Sequence, residues 1–240
     1  MLIDQELCIG CGECIPYCPV SAISLTGELA DINQPLCAEC GNCLRSGVCP
    51  VEAIVRNDLE WPRTIRNIFS DPISVFAETG VSGRGTEESK TNDVTNRFKK
   101  GEVGFTVDVG RPNVGGVWLK EVDFICRALA EIGITFDPHN PVTYMMKDTR
   151  QGSLKPEVIG EHVVSAVVEF KCPLENCAIV AKKLAEIGSH VETVFSVGVI
   201  SRVEEDLSIP AAERLKQAGF QIRSNGKTTL NLGRANQIKE

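Results

Sequence analysis

Residues 103–109, Val103-Gly-Phe-Thr-Val-Asp-Val109, alternate apolar and small or polar positions, and so do residues 164–170, Val164-Ser-Ala-Val-Val-Glu-Phe170. That two-residue period predicts strands with one buried face. Each run is followed by a proline-containing turn and then by apolar positions at helical spacing. Aligned on the glycines that end Leu129-Ala-Glu-Ile-Gly133 and Leu184-Ala-Glu-Ile-Gly188, Val122, Ile125, Leu129 and Ile132 match Cys177, Val180, Leu184 and Ile187. The pattern predicts two strand–helix copies, each laying a helical stripe on a sheet. The second copy continues with strands over 191–195 and 197–203, a helix over 211–218 and a strand pair around 221–232, a β-α-β-β-α-β order. Shorter elements at 134–136, 144–147 and 156–161 would complete the first copy, although the strand opening the second is then claimed by both.

Upstream, residues 2–4 predict a short edge strand, 24–33 a hairpin turning at Gly27, and 53–56 a strand returning to the N-terminus. Trp61, Ile65, Ile68 and Phe69 share one face of a predicted helix after Pro62. That helix either packs the first part of the chain on the second or only links them. Residues 79–101 are polar and glycine-rich. They are either a solvated loop or, through Arg84, Lys90, Arg97 and Lys99, an anion site, and they lack the Gly-Lys-Ser/Thr of a phosphate loop.

The candidate chemistry lies in the first 57 residues. Eight of the eleven cysteines fall between Cys8 and Cys49, as Cys8-x2-Cys11-x2-Cys14-x3-Cys18-Pro and Cys37-x2-Cys40-x2-Cys43-x5-Cys49-Pro. Thiolates three residues apart wrap one corner of a cubane, and the fourth, before proline, points away from that loop. This is two-cluster iron–sulfur spacing. Zinc sites pair separated Cys-x2-Cys knuckles instead of tight triplets. The halves also repeat outside the cysteines, Cys18-Pro-Val-Ser-Ala-Ile echoing Cys49-Pro-Val-Glu-Ala-Ile. The second run is longer before its last cysteine, which alters the solvent access expected there.

Residues 1–57 resemble the bacterial ferredoxins that carry two [4Fe-4S] clusters. The resemblance implies that Cys8, Cys11, Cys14 and Cys49 hold one cluster, and that Cys37, Cys40, Cys43 and Cys18 hold the other. It also implies low potentials of the kind used in anaerobic metabolism. The turn Gly110-Arg-Pro-Asn-Val-Gly115 resembles, over about ten residues, the ligand-contacting turn of ACT-like regulatory domains. That implies an amino-acid ligand at Gly110, Arg111 and Gly115. Independently, the cation-bearing, glycine-rich stretches with Arg84, Lys90 and Arg111 suit a small anionic ligand or an acidic face of a partner.

Charge sharpens the reading. The chain carries −7 overall, of which residues 1–57 hold −5, so a partner with a basic face is expected and nucleic acid would be repelled. No apolar run is long enough for a membrane span, and Asp4 and Glu6 do not suit a secretory signal. Cluster thiolates point to a reducing compartment, the cytoplasm. Cys126 and Cys177 read as buried thiols, while Cys172, before Pro173 in a turn, is the extra thiol worth testing for reactivity. His139, His162 and His190 have no ligand spacing, and no catalytic constellation is visible.

The expectation is therefore an α+β chain: a two-cluster ferredoxin domain (1–57), a connecting helix and polar loop (58–100), and a tandem ACT-like βαββαβ domain (101–240). Its function would be one-electron carriage to a partner oxidoreductase, with a redox-linked metabolite sensor as the alternative.

Overall fold

The computed structural model describes residues 1–76, 81–82, 97–110 and 115–223. The first part is built from β1 (Leu2–Ile3), β2 (Ile23–Thr26), β3 (Leu29–Ile32), the helical turn α1 (Asn42–Arg45) and β4 (Ile54–Val55). β1 pairs antiparallel with β4, and β2 with β3 around Gly27, as the repeat predicts. Its small core contains Val20, Ala22, Ile23, Ala30, Ile32 and Ile54 together with buried Cys14, Cys37 and Cys43. The thiols are thus part of the packing.

Helix α2 (Thr64–Ser70) follows. Ile65 and Phe69 are each 1% exposed and belong to the core of the second part of the chain. Ile68 packs against that core, whereas Trp61 is exposed, with Lys155 Nζ 6.0 Å from its ring centre. Of the two roles open to this helix, the packing one is observed. Strands β5 (Val75–Phe76) and β6 (Val81–Ser82) then pair antiparallel.

The second part runs β7 (Glu102–Val109), β8 (Val117–Trp118), α3 (Leu119–Ala130), β9 (Thr135–Phe136), α4 (Pro141–Tyr144), β10 (Met146–Asp148), β11 (Ser153–Leu154), β12 (His162–Val163), β13 (Ala166–Pro173), α5 (Cys177–Gly188), β14 (Phe195–Ser201) and α6 (Pro210–Gln217). Its four-stranded sheet has the order β14-β7-β13-β9, every neighbour antiparallel. Val103, Phe105, Val107 and Val109 lie opposite Cys172, Phe170, Val168 and Ala166 and form the buried face. Phe105 and Phe170 stack at 5.4 Å between ring centres. On α3 and α5, Val122, Ile125, Leu129, Cys177, Val180, Leu184 and Ile187 are all buried, the stripe that the sequence predicts.

This arrangement corrects the tandem reading. Among the described residues there is one four-stranded sheet, and the two strand–helix copies are the two halves of a single βαββαβ unit. β7 and β13 pair with each other, so no strand is shared between two units. Within 191–203 there is one strand, β14, not two, and residues 156–158 form only a short 3-10 turn. β10 and β11 form a separate hairpin outside the sheet. The strand pair expected near 221–232 falls mostly outside the described residues. No helix among the described residues is long and apolar enough to cross a membrane.

Candidate metal centre

Two cavities open on the first part of the chain. Cys8, Cys11, Cys14 and Cys49 line one, with Ile3, Ile9, Gly12 and Ile54; it contains about 330 Å³ of space, partly open to solvent. Cys18, Cys37, Cys40 and Cys43 line the other, with Met1, Tyr17, Ala38 and Gly41, around about 300 Å³. Each cavity therefore takes three thiols from one cysteine run and one from the other.

The thiols within each set feel one another. Burial pushes the Cys14 thiol up, and the neighbouring Cys11, Cys49 and Cys8 add to the effect against a backbone hydrogen bond. Burial pushes Cys43 up to about 11, reinforced by Cys40, Cys37 and Cys18. Burial likewise raises Cys37 and Cys40. Burial and neighbouring thiols thus favour the protonated forms, and a metal that binds displaces those protons. Backbone donors support the fourth member of each set: Ala22 N–H reaches Cys18 Sγ at 3.1 Å, and Ala53 N–H reaches Cys49 Sγ at 3.2 Å.

The donor set suits a polynuclear cluster better than a single ion. Four thiolates on one zinc would converge to about 2.3 Å from it. Among the described residues, no three His, Cys, Asp or Glu side chains converge closely enough to hold one metal ion. In a cubane each thiolate takes a separate iron, so four soft donors spread around one cavity fit. Between Cys8 and Cys11, Gly10 has φ +67°, and a Cβ there would stand 1.8 Å from the Glu28 carbonyl oxygen. The loop that carries these thiols therefore closes against β3 only with glycine.

The second cavity departs from that symmetry. Where the first run has Gly10, the second has Glu39, a non-glycine residue at φ 54°. Its buried carboxylate accepts hydrogen bonds from the Met1 amino group and from Arg63 Nε (2.9 Å) and Nη2 (2.6 Å). Helix α1 carries Cys43 and opens the longer spacer of the second run, and from it Arg45 reaches the Cys40 carbonyl and Asp71, each at 2.7 Å.

The chain matches, over residues 1–24, the family described as 4Fe-4S binding domain. It is 39% identical over 61 residues to a ferredoxin-like protein in the vnf region of Azotobacter chroococcum, covering 91% of that protein and 23% of this chain. The chain belongs to the ferredoxin family. It is also 31% identical over 99 residues to ferredoxin Fdx2 of Sorangium cellulosum, 94% of that ferredoxin and 40% of this chain. A subunit of the ion-translocating oxidoreductase complex of Methanosarcina acetivorans is 47% identical over 47 residues, or 20% of this chain, which spans only 17% of that protein. No solved structure matches the chain. This ferredoxin is an iron–sulfur, 4Fe-4S electron carrier whose family likeness lies in its N-terminal part.

The remaining residues singled out in the sequence are dispersed. Arg84, Lys90 and Arg111 lie outside the described residues. Gly110 ends β7, with its N–H on the Val194 carbonyl at 2.8 Å, and Gly115 stands in open space. Arg97 pairs with Asp137, so its guanidinium is engaged within the chain, while the backbone N–H of Lys99 meets Glu102. Cys172 is not in a turn: it lies within β13, 3% exposed, its thiol pushed up to about 12 by burial, which leaves it inert at neutral pH. Cys126 and Cys177 are fully buried, as the helical stripe predicts. Arg63, Arg66, Glu161 and His162 carried no local signal in the sequence. Arg66 donates to the Gln34, Pro35 and Cys37 carbonyls at 3.0, 2.8 and 2.8 Å and pairs with Glu161 of the second part. His162 Nδ1 lies 2.7 Å from the Leu36 carbonyl oxygen.

Proposed function

We propose that residues 1–57 hold two [4Fe-4S] clusters with exchanged ligation, one on Cys8, Cys11, Cys14 and Cys49, the other on Cys37, Cys40, Cys43 and Cys18. The carrying observation is the pair of four-thiol cavities, each completed by a thiol from the other run. Such a cluster accepts and releases one electron at a time without needing a proton.

The protein's own residues shape where that exchange occurs. Cys11 is exposed beside Ile9, and Leu7, Leu25 and Ile9 are among the exposed large apolar residues of this part. A partner covering them would exclude water near the first cavity. Glu6, Glu13, Glu28, Asp31 and Glu52 are exposed around the same part and steer a basic face toward it. We read the partner as a redox enzyme or complex in the cytoplasm; the likeness to a subunit of an oxidoreductase complex supports that class.

The second part, from β7 onward, is read as an ACT-like βαββαβ docking or ligand-binding domain. The order β14-β7-β13-β9 with helices between strands supports that topology, and the turn from Gly110 to Gly115, with Arg111, is its candidate ligand contact. The sensor alternative gains from one observation: His162 of this domain reaches the Leu36 carbonyl beside Cys37, and Glu161 pairs with Arg66, which itself donates to the Cys37 carbonyl.

The test is anaerobic electron transfer from the reduced protein to reductases, followed in a stopped-flow instrument across ionic strength. Transfer that slows as salt screens the acidic face is expected. Transfer independent of salt, or none to any redox partner, would count against carriage by this route.

A further inference from the structure

The two cavities sit in unlike electrostatic surroundings. No lysine or arginine occurs before Arg45, and the charged residues flanking the first cavity's cysteines in the chain are exposed Glu6, Glu13 and Glu52. Beside the second cavity, Arg45 donates to the Cys40 carbonyl and Arg66 to the Cys37 carbonyl; Arg63 reaches Glu39 between those cysteines, and Arg56 joins Arg45 on Asp71. Three buried or nearly buried carboxylates answer them: Glu39 pairs with Arg63, Asp71 with both Arg45 and Arg56, and Glu161 with Arg66. Four guanidinium groups and the Met1 amino group, which also meets Glu39, thus face three carboxylates. Arg66 is the most enclosed of the four, 5% exposed, and its Nη1 donates directly to the carbonyl of Cys37 at 2.8 Å.

We propose that Arg66 makes the cavity of Cys18, Cys37, Cys40 and Cys43 the electron-accepting one of the pair, with Glu161 of the second domain setting the extent. One electron passes from the group held in the first cavity, oxidising it, to the group in the second, reducing it, and no proton moves. A one-electron donor of the flavin or ferredoxin class refills the first. The added electron makes the second group one unit more negative, and a buried guanidinium, charged at every working pH, lowers the energy of that state. Charge and hydrogen bonding near a cluster are established determinants of its potential. Arg66 acts through the Cys37 carbonyl and is a positioning residue. Because Glu161 partly neutralises it, anything that draws Glu161 away raises the second potential. The second domain thereby gains a physical handle on electron flow. This inference rests on the two-cluster reading.

The experiment is a potentiometric titration followed by electron paramagnetic resonance on the full-length, anaerobically purified protein. Wild type is compared with Arg66→Gln, Arg66→Lys and Glu161→Gln, with iron content and circular dichroism measured on each. Two midpoint potentials are expected in the wild type. Arg66→Gln lowers the upper one by at least a tenfold change in the reduction equilibrium, about 59 mV for one electron. Glu161→Gln raises it, Arg66→Lys keeps most of it, and the lower midpoint stays in place throughout. The opposite signs are what a merely structural role would not produce. If Arg66→Gln fails to retain iron, Glu161→Gln, which keeps a hydrogen-bond acceptor, still decides. An upper midpoint that does not rise in it overturns the proposal, as do two midpoints that shift together or a lower midpoint that alone responds. A wild type with four irons and one signal would instead sink the two-cluster reading beneath it.

Discussion

Helix α2 precedes the four-stranded sheet by more than thirty residues, yet Phe69 is 1% exposed in the same apolar cluster as Phe105, Val107 and Phe170. Phe69→Ala therefore perturbs the second domain from outside its own sheet and helices. Removing a fully buried phenylalanine side chain costs about 3–5 kcal/mol through lost transfer energy and the cavity left behind. Whole-domain stability is about 5–15 kcal/mol. At roughly 2–4 °C per kcal/mol for a chain of this size, the melting temperature should fall by roughly 6–20 °C. The assay is anaerobic thermal unfolding by far-ultraviolet circular dichroism, with iron per chain measured at 20 °C to show that the cysteine-bearing part is intact. A helix that only linked two parts would respond like a surface site, within about 0.5 kcal/mol. A measured loss below about 1 kcal/mol would refute the assignment of α2 to that core. By the same reasoning, a fragment beginning at residue 101 should be markedly less stable than one beginning before α2.

Three further outcomes are expected. Cys18→Ser should damage the cluster signal of the cavity shared with Cys37, Cys40 and Cys43; loss confined to the other signal would contradict exchanged ligation. Gly10→Ala should cost the first cavity its iron, about half the total, because its Cβ has no room beside the Glu28 carbonyl; full iron retention would show that the loop relaxes. Burial holds the His162 pKa below its usual value, with Arg66 assisting and hydrogen bonds to the backbone of Leu36 and Gly115 opposing. The unfolded chain then takes up the proton first, so this contribution is complete above about pH 6.5 and is lost as pH falls through the lower folded value. Urea midpoints at pH 7.5 and 6 should show the loss in wild type and less of it in His162→Gln; equal losses would remove His162 from the account.

Local pattern carried much of the fold. The alternation over 103–109 and the helical stripe of Val122, Ile125 and Leu129 depend on neighbours within one turn or strand, and the structure holds both. The repeat was read at the wrong scale. The two halves of a βαββαβ unit are related by approximate twofold symmetry, so similar halves look like two copies until the pairing of β7 with β13 is known. Pro173 suggested a turn at Cys172, but it occupies the last pair of β13, opposite Glu102, where a missing N–H is tolerated. The cluster cysteines were visible because their spacing is local and repeated. Arg66 and Glu161 were not, being 95 residues apart in the chain. Glu39 had left a trace, since it stands where the repeat has Gly10.

The most direct measurement is the iron and acid-labile sulfide content of protein purified under strict anaerobiosis, with Mössbauer spectroscopy to give the cluster type. Eight thiols in two sets of four predict about eight irons and eight sulfides per chain, all in [4Fe-4S] form. About four irons, or zinc in place of iron, would contradict the account.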